Sequence, residues 1–129
     1  MKKFFVTLFV IVLVGLGCLP WWTSRMAEQA FEDFTNPDAP KKVEKAIDFK
    51  MRMIMYSQAR TVAEEFALYF PEAENFPRIL NKAALCGEKE RKPLIALHWY
   101  RRLVELFPKH ELAQDAKAKI ERLKGIYEQ

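Results

Sequence analysis

The stretch ARTVAEEFALYFP, residues 59–71, is followed 37 residues later by ALHWYRRLVELFP, residues 96–108. Both fit the pattern A-x3-[AY]-x2-[FL]-x4-P. The matched positions are Ala59, Ala63, Phe66 and Pro71 in the first copy, and Ala96, Tyr100, Leu103 and Pro108 in the second. Alanine lets two helices approach closely, the bulky residues four and seven positions later share its face, and proline ends the helix. A repeat of this period predicts an all-α fold of stacked helical hairpins, a short solenoid.

Helical periodicity extends on both sides of these copies. We expect helices over residues 24–34, 75–86 and 93–107, a last helix from about Glu111, and either one bent helix or two between Lys41 and Phe70. Thr23 or Ser24 and Ser57 are suitable N-caps, and Gly87 is a suitable C-cap. Residues 35–40, TNPDAP, form the clearest break. A degenerate earlier copy of the repeat is expected at Ala27, Phe31 and Phe34. We assign residues 23–40 as a linker helix and turn, and residues 41–129 as repeats, with units at about 56–92 and 93–127.

The repeat pattern resembles the second helix of a tetratricopeptide repeat. The junctions ALYFPE (67–72) and VELFPKH (104–110) resemble those of the tetratricopeptide lipoproteins of the outer-membrane β-barrel assembly machinery and their relatives. The resemblance covers roughly residues 56–127 and implies a solenoid that binds extended peptides or other envelope proteins. The chain departs from the family in its period of 37 rather than 34 residues, and we expect the extra residues between Gly87 and Lys92. It is also much shorter than the assembly lipoproteins.

The first 22 residues differ in composition from the rest. Lys2 and Lys3 precede a run from Phe4 to Trp22 whose only polar residue is Thr7. A positive start followed by such a run is typical of an export signal or a membrane anchor, and 19 helical residues extend about 28 Å. Two outcomes remain open: a single-pass anchor, or a lipoprotein signal cut before Cys18, since GLGC (15–18) resembles a bacterial lipobox. Both predict a membrane-bound protein that faces the periplasm.

Composition and motifs argue against several other classes of protein. The chain has 129 residues and a net charge of +4, and Lys2 and Lys3 supply two of the positive charges, so nucleic-acid binding is not expected. Two cysteines and two histidines at unsuitable spacing predict no metal site. No phosphate loop or placeable catalytic set is present, so we predict no catalytic residue and no cofactor.

The aromatic and basic residues of the predicted helices suggest a partner-binding surface. Tyr69, Trp99, Arg101 and Arg102 are the candidates, because tyrosine, tryptophan and arginine are enriched in protein interfaces. The leading hypothesis is therefore a non-enzymatic scaffold, tethered to a membrane and facing the periplasm, for an envelope assembly or transport complex. The alternative is a single-pass inner-membrane adaptor that chaperones exported chains. A small envelope enzyme is the less favoured third interpretation.

Overall fold

A computed structural model describes residues 1–32 and 36–127, and of residues 18–20, 23 and 127 it describes the backbone alone. The described residues form helices and no strand, which confirms the all-α prediction. The six helices are α1 (Lys2–Glu32), α2 (Ala39–Arg52), α3 (Tyr56–Tyr69), α4 (Phe76–Lys89), α5 (Pro93–Leu106) and α6 (Glu111–Tyr127).

The 37-residue period is present in the backbone as well as in the sequence. Helices α2 and α4 begin and end 37 residues apart, and so do α3 and α5. Helix α1 precedes these two pairs and packs against α2. The degenerate copy expected at Ala27, Phe31 and Phe34 stays a prediction: Ala27 is buried, Phe31 packs against the core, and Phe34 lies outside the described residues.

Helix α1 corrects the predicted boundary near residue 22. The helix runs from Lys2 to Glu32 without a break, so no helix starts at Thr23 or Ser24. The large apolar side chains from Phe4 to Leu16 are 48–69% exposed, whereas Ala27 and Ala30 are buried. One helix thus has an exposed apolar half and a half that packs into the domain.

The segment between Lys41 and Phe70 forms two helices. A three-residue turn, 53–55, separates α2 from α3, and Ile54 within it has a left-handed backbone with φ of 61°. Two hydrogen bonds close the turn, from the Met55 amide to the Lys50 carbonyl (2.8 Å) and from the Ile54 amide to the Met51 carbonyl (3.1 Å). Ser57 does not cap α3, because the helix begins one residue before it and Met55 occupies the cap position.

The expected C-cap at Gly87 is wrong. Helix α4 continues to Lys89, so the turn before α5 contains only residues 90–92, while the loop between α3 and α4 contains residues 70–75. Gly87 instead lies where α4 and α5 are closest: a β-carbon there would lie 3.0 Å from the backbone nitrogen of Ala96. The glycine is needed for helix packing rather than for helix termination. Pro93 begins α5, as expected from its fixed φ.

Each helix packs against the next one along the chain, and α4 also contacts α6. The repeat residues of α3 and α5 form the centre of this array: Ala59, Ala63, Phe66, Ala96, Tyr100 and Leu103 are each at most 2% exposed. Pro71 and Pro108 lie outside the core, in the exposed loops after these helices. The outer side of α6 is mostly polar.

Among the residues whose side chains are described, no helix combines the length and the apolar character that crossing a membrane requires. The membrane or signal segment expected at residues 1–22 stays a prediction, as does membership of the tetratricopeptide family.

Candidate interaction groove

A groove of about 570 Å³ lies between α3 and α5, with α4 as its floor. The two wall helices are held apart because each packs against α4, which lies between them in sequence. The lining is mainly apolar and includes Leu68, Leu80, Trp99, Arg102, Leu106 and Phe107. We call this feature the Trp99 groove.

The rim of the Trp99 groove exposes large apolar side chains. Leu68 is 80% exposed and Leu106 is 42% exposed, on opposite walls. Trp99 is half-buried against the core, and the ring of His98 meets it edge to face at 4.9 Å. Exposed apolar side chains that cluster around a concave site are typical of a binding surface, whereas single exposed leucines are common on any protein.

The charges on the rim differ in how far they are already neutralised. Glu64 on α3 accepts a hydrogen bond from Arg60 at 2.7 Å, so its charge is largely satisfied within the domain. Arg102 on α5 lies 3.8 Å from Glu105, a distance too long for a strong hydrogen bond. Both Arg102 and Glu105 are mostly exposed. The guanidinium of Arg102 is therefore able to meet a carboxylate of a partner that also fills the apolar groove.

The structure separates the four residues that the sequence grouped as a partner surface. Trp99 and Arg102 both line the Trp99 groove. Tyr69 faces the other way, where its ring lies 4.9 Å from that of Phe31 on α1. Arg101 points to a separate cleft between α5 and α6 that also contains Lys117. Adjacent residues on a helix are about 100° apart around its axis, which explains why Arg101 and Arg102 lie on different surfaces.

A polar network joins α5 to α4 and α6. The hydroxyl of Tyr100, a fully buried residue, donates a 2.6 Å hydrogen bond to Glu88 on α4, and Glu88 also pairs with Arg122 on α6. Burial and this hydrogen bond raise the pKa of Tyr100, so the phenol stays neutral. The repeat tyrosine thus ties together three helices.

A buried lysine that the sequence pattern did not predict lies in a second groove, between α1 and α3. Lys50 of α2 is 1% exposed, and its Nζ donates 2.9 Å hydrogen bonds to Ser24 Oγ and to Gln58 Oε1. Burial lowers the pKa of this amine. Its position after Val43 and Ile47 on the apolar stripe was the available signal, since a stripe at this spacing faces the core.

Cys86 and the potential metal ligands are the remaining reactive side chains of the described residues. Cys86 is fully buried, and burial raises the pKa of its thiol to about 11, so it acts as a small packing residue. No group of three or more histidine, cysteine, aspartate or glutamate side chains within the described part of the chain could hold a metal ion. The side chain of Cys18, the predicted lipidation site, lies outside the described residues.

Comparison of the chain with protein-family models, with curated proteins and with solved structures finds no match.

Proposed function

We propose that the protein is a membrane-tethered, periplasm-facing scaffold, with tetratricopeptide-like repeats that bind a protein of an envelope assembly or transport complex. The Trp99 groove is the observation that carries this proposal. It combines an apolar lining, exposed leucines on both walls and a weakly paired arginine on one of two helices that both pack against α4. Such a site fits a peptide segment that presents apolar side chains and one carboxylate.

Helix α1 supports the tether in this proposal. Its residues from Phe4 to Leu16 expose apolar side chains on all sides, and a helix that is apolar all round needs an apolar environment. Trp21 and Trp22 follow, about 60% exposed, and Arg25 stacks its guanidinium 4.8 Å from the Trp21 ring. Tryptophans flanked by an arginine suit the boundary between a bilayer and water.

Site-specific photocrosslinking in intact membranes tests the binding role. A photoreactive residue at Leu68 or Leu106, on the two walls of the groove, should give an adduct with the same envelope protein. The matched control is Asp115 on the exposed side of α6, which should give none. Trp99→Ala and Arg102→Glu should each reduce the yield at Leu68 by about tenfold or more, as expected for loss of an interface anchor.

The same experiment separates the alternatives. Adducts with many unrelated exported chains would favour the chaperone-like adaptor instead of a scaffold with one partner. Equal adduct yields from Leu68 and Asp115, or a yield at Leu68 that Trp99→Ala does not change, would show that the Trp99 groove is not the binding site.

A further inference from the structure

The alternating direction of the helices brings one set of turns to the end of the domain where α1 emerges. Helices α1 and α2 are antiparallel, and the contact between Lys50 and Ser24 fixes their register. Met53 lies three residues after Lys50 of α2, and Trp21 lies three residues before Ser24 of α1. Three helical residues rise by about 4.5 Å. Because the two helices are antiparallel, Met53 and Trp21 both lie about 4.5 Å beyond the contact between Lys50 and Ser24, in the same direction. The turn 53–55 therefore lies level with the two tryptophans of α1.

The next turn of the array lies at this same end. Arg60 near the start of α3 donates a 3.2 Å hydrogen bond to Glu90, the first residue after α4. This contact places the turn 90–92 beside the beginning of α3 and thus beside the turn 53–55. We call the surface formed by residues 21, 22, 24, 25, 52–55 and 89–92 the anchor-side face.

The two ends of the domain differ in net charge. Segments 52–55 and 89–92 contain four cationic residues, Arg52, Lys89, Arg91 and Lys92, and one carboxylate, Glu90. At the opposite end, segments 36–42, 70–75 and 107–110 contain three carboxylates, Asp38, Glu72 and Glu74, and three lysines, Lys41, Lys42 and Lys109, so their charges balance. Among the ion pairs between described side chains, none involves Arg52, Lys89 or Arg91.

The tip of the turn 53–55 is apolar and exposed. Ile54 is 74% exposed and Met53 is 43% exposed. Ile54 also has the left-handed backbone that β-branched residues avoid, with φ of 61°. A glycine or asparagine would adopt this conformation at lower steric cost and would expose no apolar side chain.

We propose that the anchor-side face docks on the anionic lipid headgroups of the bilayer that holds α1, with Ile54 and Met53 inserted between headgroups. This inference rests on the membrane tether of the proposed function. Because α1 is one uninterrupted helix from Lys2 to Glu32, the face is held next to the membrane rather than on a flexible linker. Each lysine or arginine near an anionic surface strengthens binding by about fivefold, and the apolar tips add burial. The Trp99 groove would then have a fixed orientation relative to the bilayer.

Fluorescence quenching in vesicles tests the docking. The full chain is reconstituted with an environment-sensitive fluorescent amino acid at position 54, or at position 72 in the opposite end as a control. The vesicles are phosphatidylcholine with or without phosphatidylglycerol, and a lipid with a nitroxide on its headgroup acts as the quencher. Flotation of the vesicles reports the tether independently. We expect strong quenching at position 54 in phosphatidylglycerol vesicles and little at position 72.

Charge reversal supplies the matched variants. Arg52→Glu, Lys89→Glu and Arg91→Glu together should lower the quenching at position 54 to the level of position 72, while the chain still floats with the vesicles. Lys41→Glu, Lys42→Glu and Lys109→Glu, which lie toward the opposite end, should leave it unchanged. Flotation with equal quenching at both positions, or with no effect of the first triple variant, would overturn docking but not the tether. Failure to float would overturn the tether and the docking with it.

Discussion

Ile54 and Arg91, 37 residues apart, have the same left-handed backbone, with φ of 61° and 60°. Each is the middle residue of a three-residue turn. In both turns the amide of the last residue donates to a carbonyl five positions earlier, from Met55 to Lys50 at 2.8 Å and from Lys92 to Gly87 at 2.9 Å. The repeat is therefore conserved at the level of turn geometry even where the side chains differ completely.

The first prediction concerns strain at Ile54. Ile54→Gly should raise the free energy of unfolding by about 1 kcal/mol, because glycine adopts this conformation without the steric cost that a β-branched residue incurs. Met53, whose φ is −85°, is the control: Met53→Gly should lower stability, since it only adds flexibility to the unfolded chain. Thermal unfolding of the full chain, followed by circular dichroism, measures both. A loss of stability in Ile54→Gly equal to that in Met53→Gly would contradict the argument.

The second prediction compares two helical glycines. Gly87→Ala should destabilise the protein, because the added β-carbon would lie 3.0 Å from the Ala96 nitrogen and 3.3 Å from its α-carbon, both of which are backbone atoms. Overpacking of this kind costs about 1–3 kcal/mol, more than the 0.5–1 kcal/mol gained from helix propensity. A β-carbon at position 125 would have no neighbouring atom within 4 Å, so Gly125→Ala should stabilise the protein by about 0.5–1 kcal/mol. Opposite signs in urea unfolding are the expected result, and a gain in both variants would disprove the close approach of α4 and α5.

The third prediction tests the equivalence of the repeats. Ala59→Leu and Ala96→Leu should each cost about 1–3 kcal/mol, because both alanines are fully buried where helices pack. Arg101→Ala, on an exposed position of α5, should change stability by less than about 0.5 kcal/mol. Tolerance of leucine at one alanine but not the other in thermal unfolding would show that the two sites are not equivalent.

The sequence predicts what depends on local pattern. The spacing of Ala59, Phe66, Ala96 and Leu103 predicts both the helices and their buried faces, because helical periodicity reports burial directly. It does not separate α2 from α3, since the turn at Ile54 contains neither glycine nor proline and its conformation is imposed by packing of the helices on both sides.

The candidate site is harder to predict because it combines residues from three helices. The sequence proposes Trp99 and Arg102 as candidates for a partner surface, and both line the Trp99 groove, but it also proposes Tyr69, which packs against Phe31. In the sequence, Leu68 does not differ from an apolar core residue. Its exposed position on the wall of the groove follows only from the packing of α3 and α5 on either side of α4. Which side chains face a common groove is decided by tertiary packing rather than by local pattern.

The fourth prediction concerns the buried amine of Lys50. Burial disfavours the charged amine of Lys50 and lowers its pKa. Burying the charge therefore reduces the stability of the fold. This loss of stability is present in full below the lowered pKa, and it disappears as the pH rises toward the ordinary value of 10.5. Lys50→Met should therefore raise the free energy of unfolding at pH 7 by about 1 kcal/mol or more, despite the lost bonds to Ser24 and Gln58. The stability gain should shrink as the pH approaches 10.5. Lys45→Met, on an exposed position of α2, is the control and should show no such pH dependence in urea unfolding.

The fifth prediction concerns acid stability and the carboxylate of Glu44 on α2. It accepts hydrogen bonds from Arg78 (2.9 and 3.1 Å) and from Lys82 (3.0 Å), both on α4. Partial burial tends to raise the pKa of Glu44, but the hydrogen bonds and the positive charges of Arg78 and Lys82 outweigh it, and the net pKa is lowered.

A carboxylate whose pKa is lower in the folded state stabilises the fold fully above its ordinary pKa of about 4.5, and this contribution is lost as the pH falls through the lowered value. Glu44→Gln should thus reduce stability at pH 7 by about 1 kcal/mol, a modest amount because Arg78 is mostly exposed. The variant and the wild type should converge once the pH falls below the lowered pKa of Glu44. Glu65→Gln, at an exposed position of α3, should leave the profile unchanged. Urea unfolding at a series of pH values measures the difference, and a constant gap between wild type and Glu44→Gln down to low pH would show that packing, rather than the charge of Glu44, joins α2 to α4.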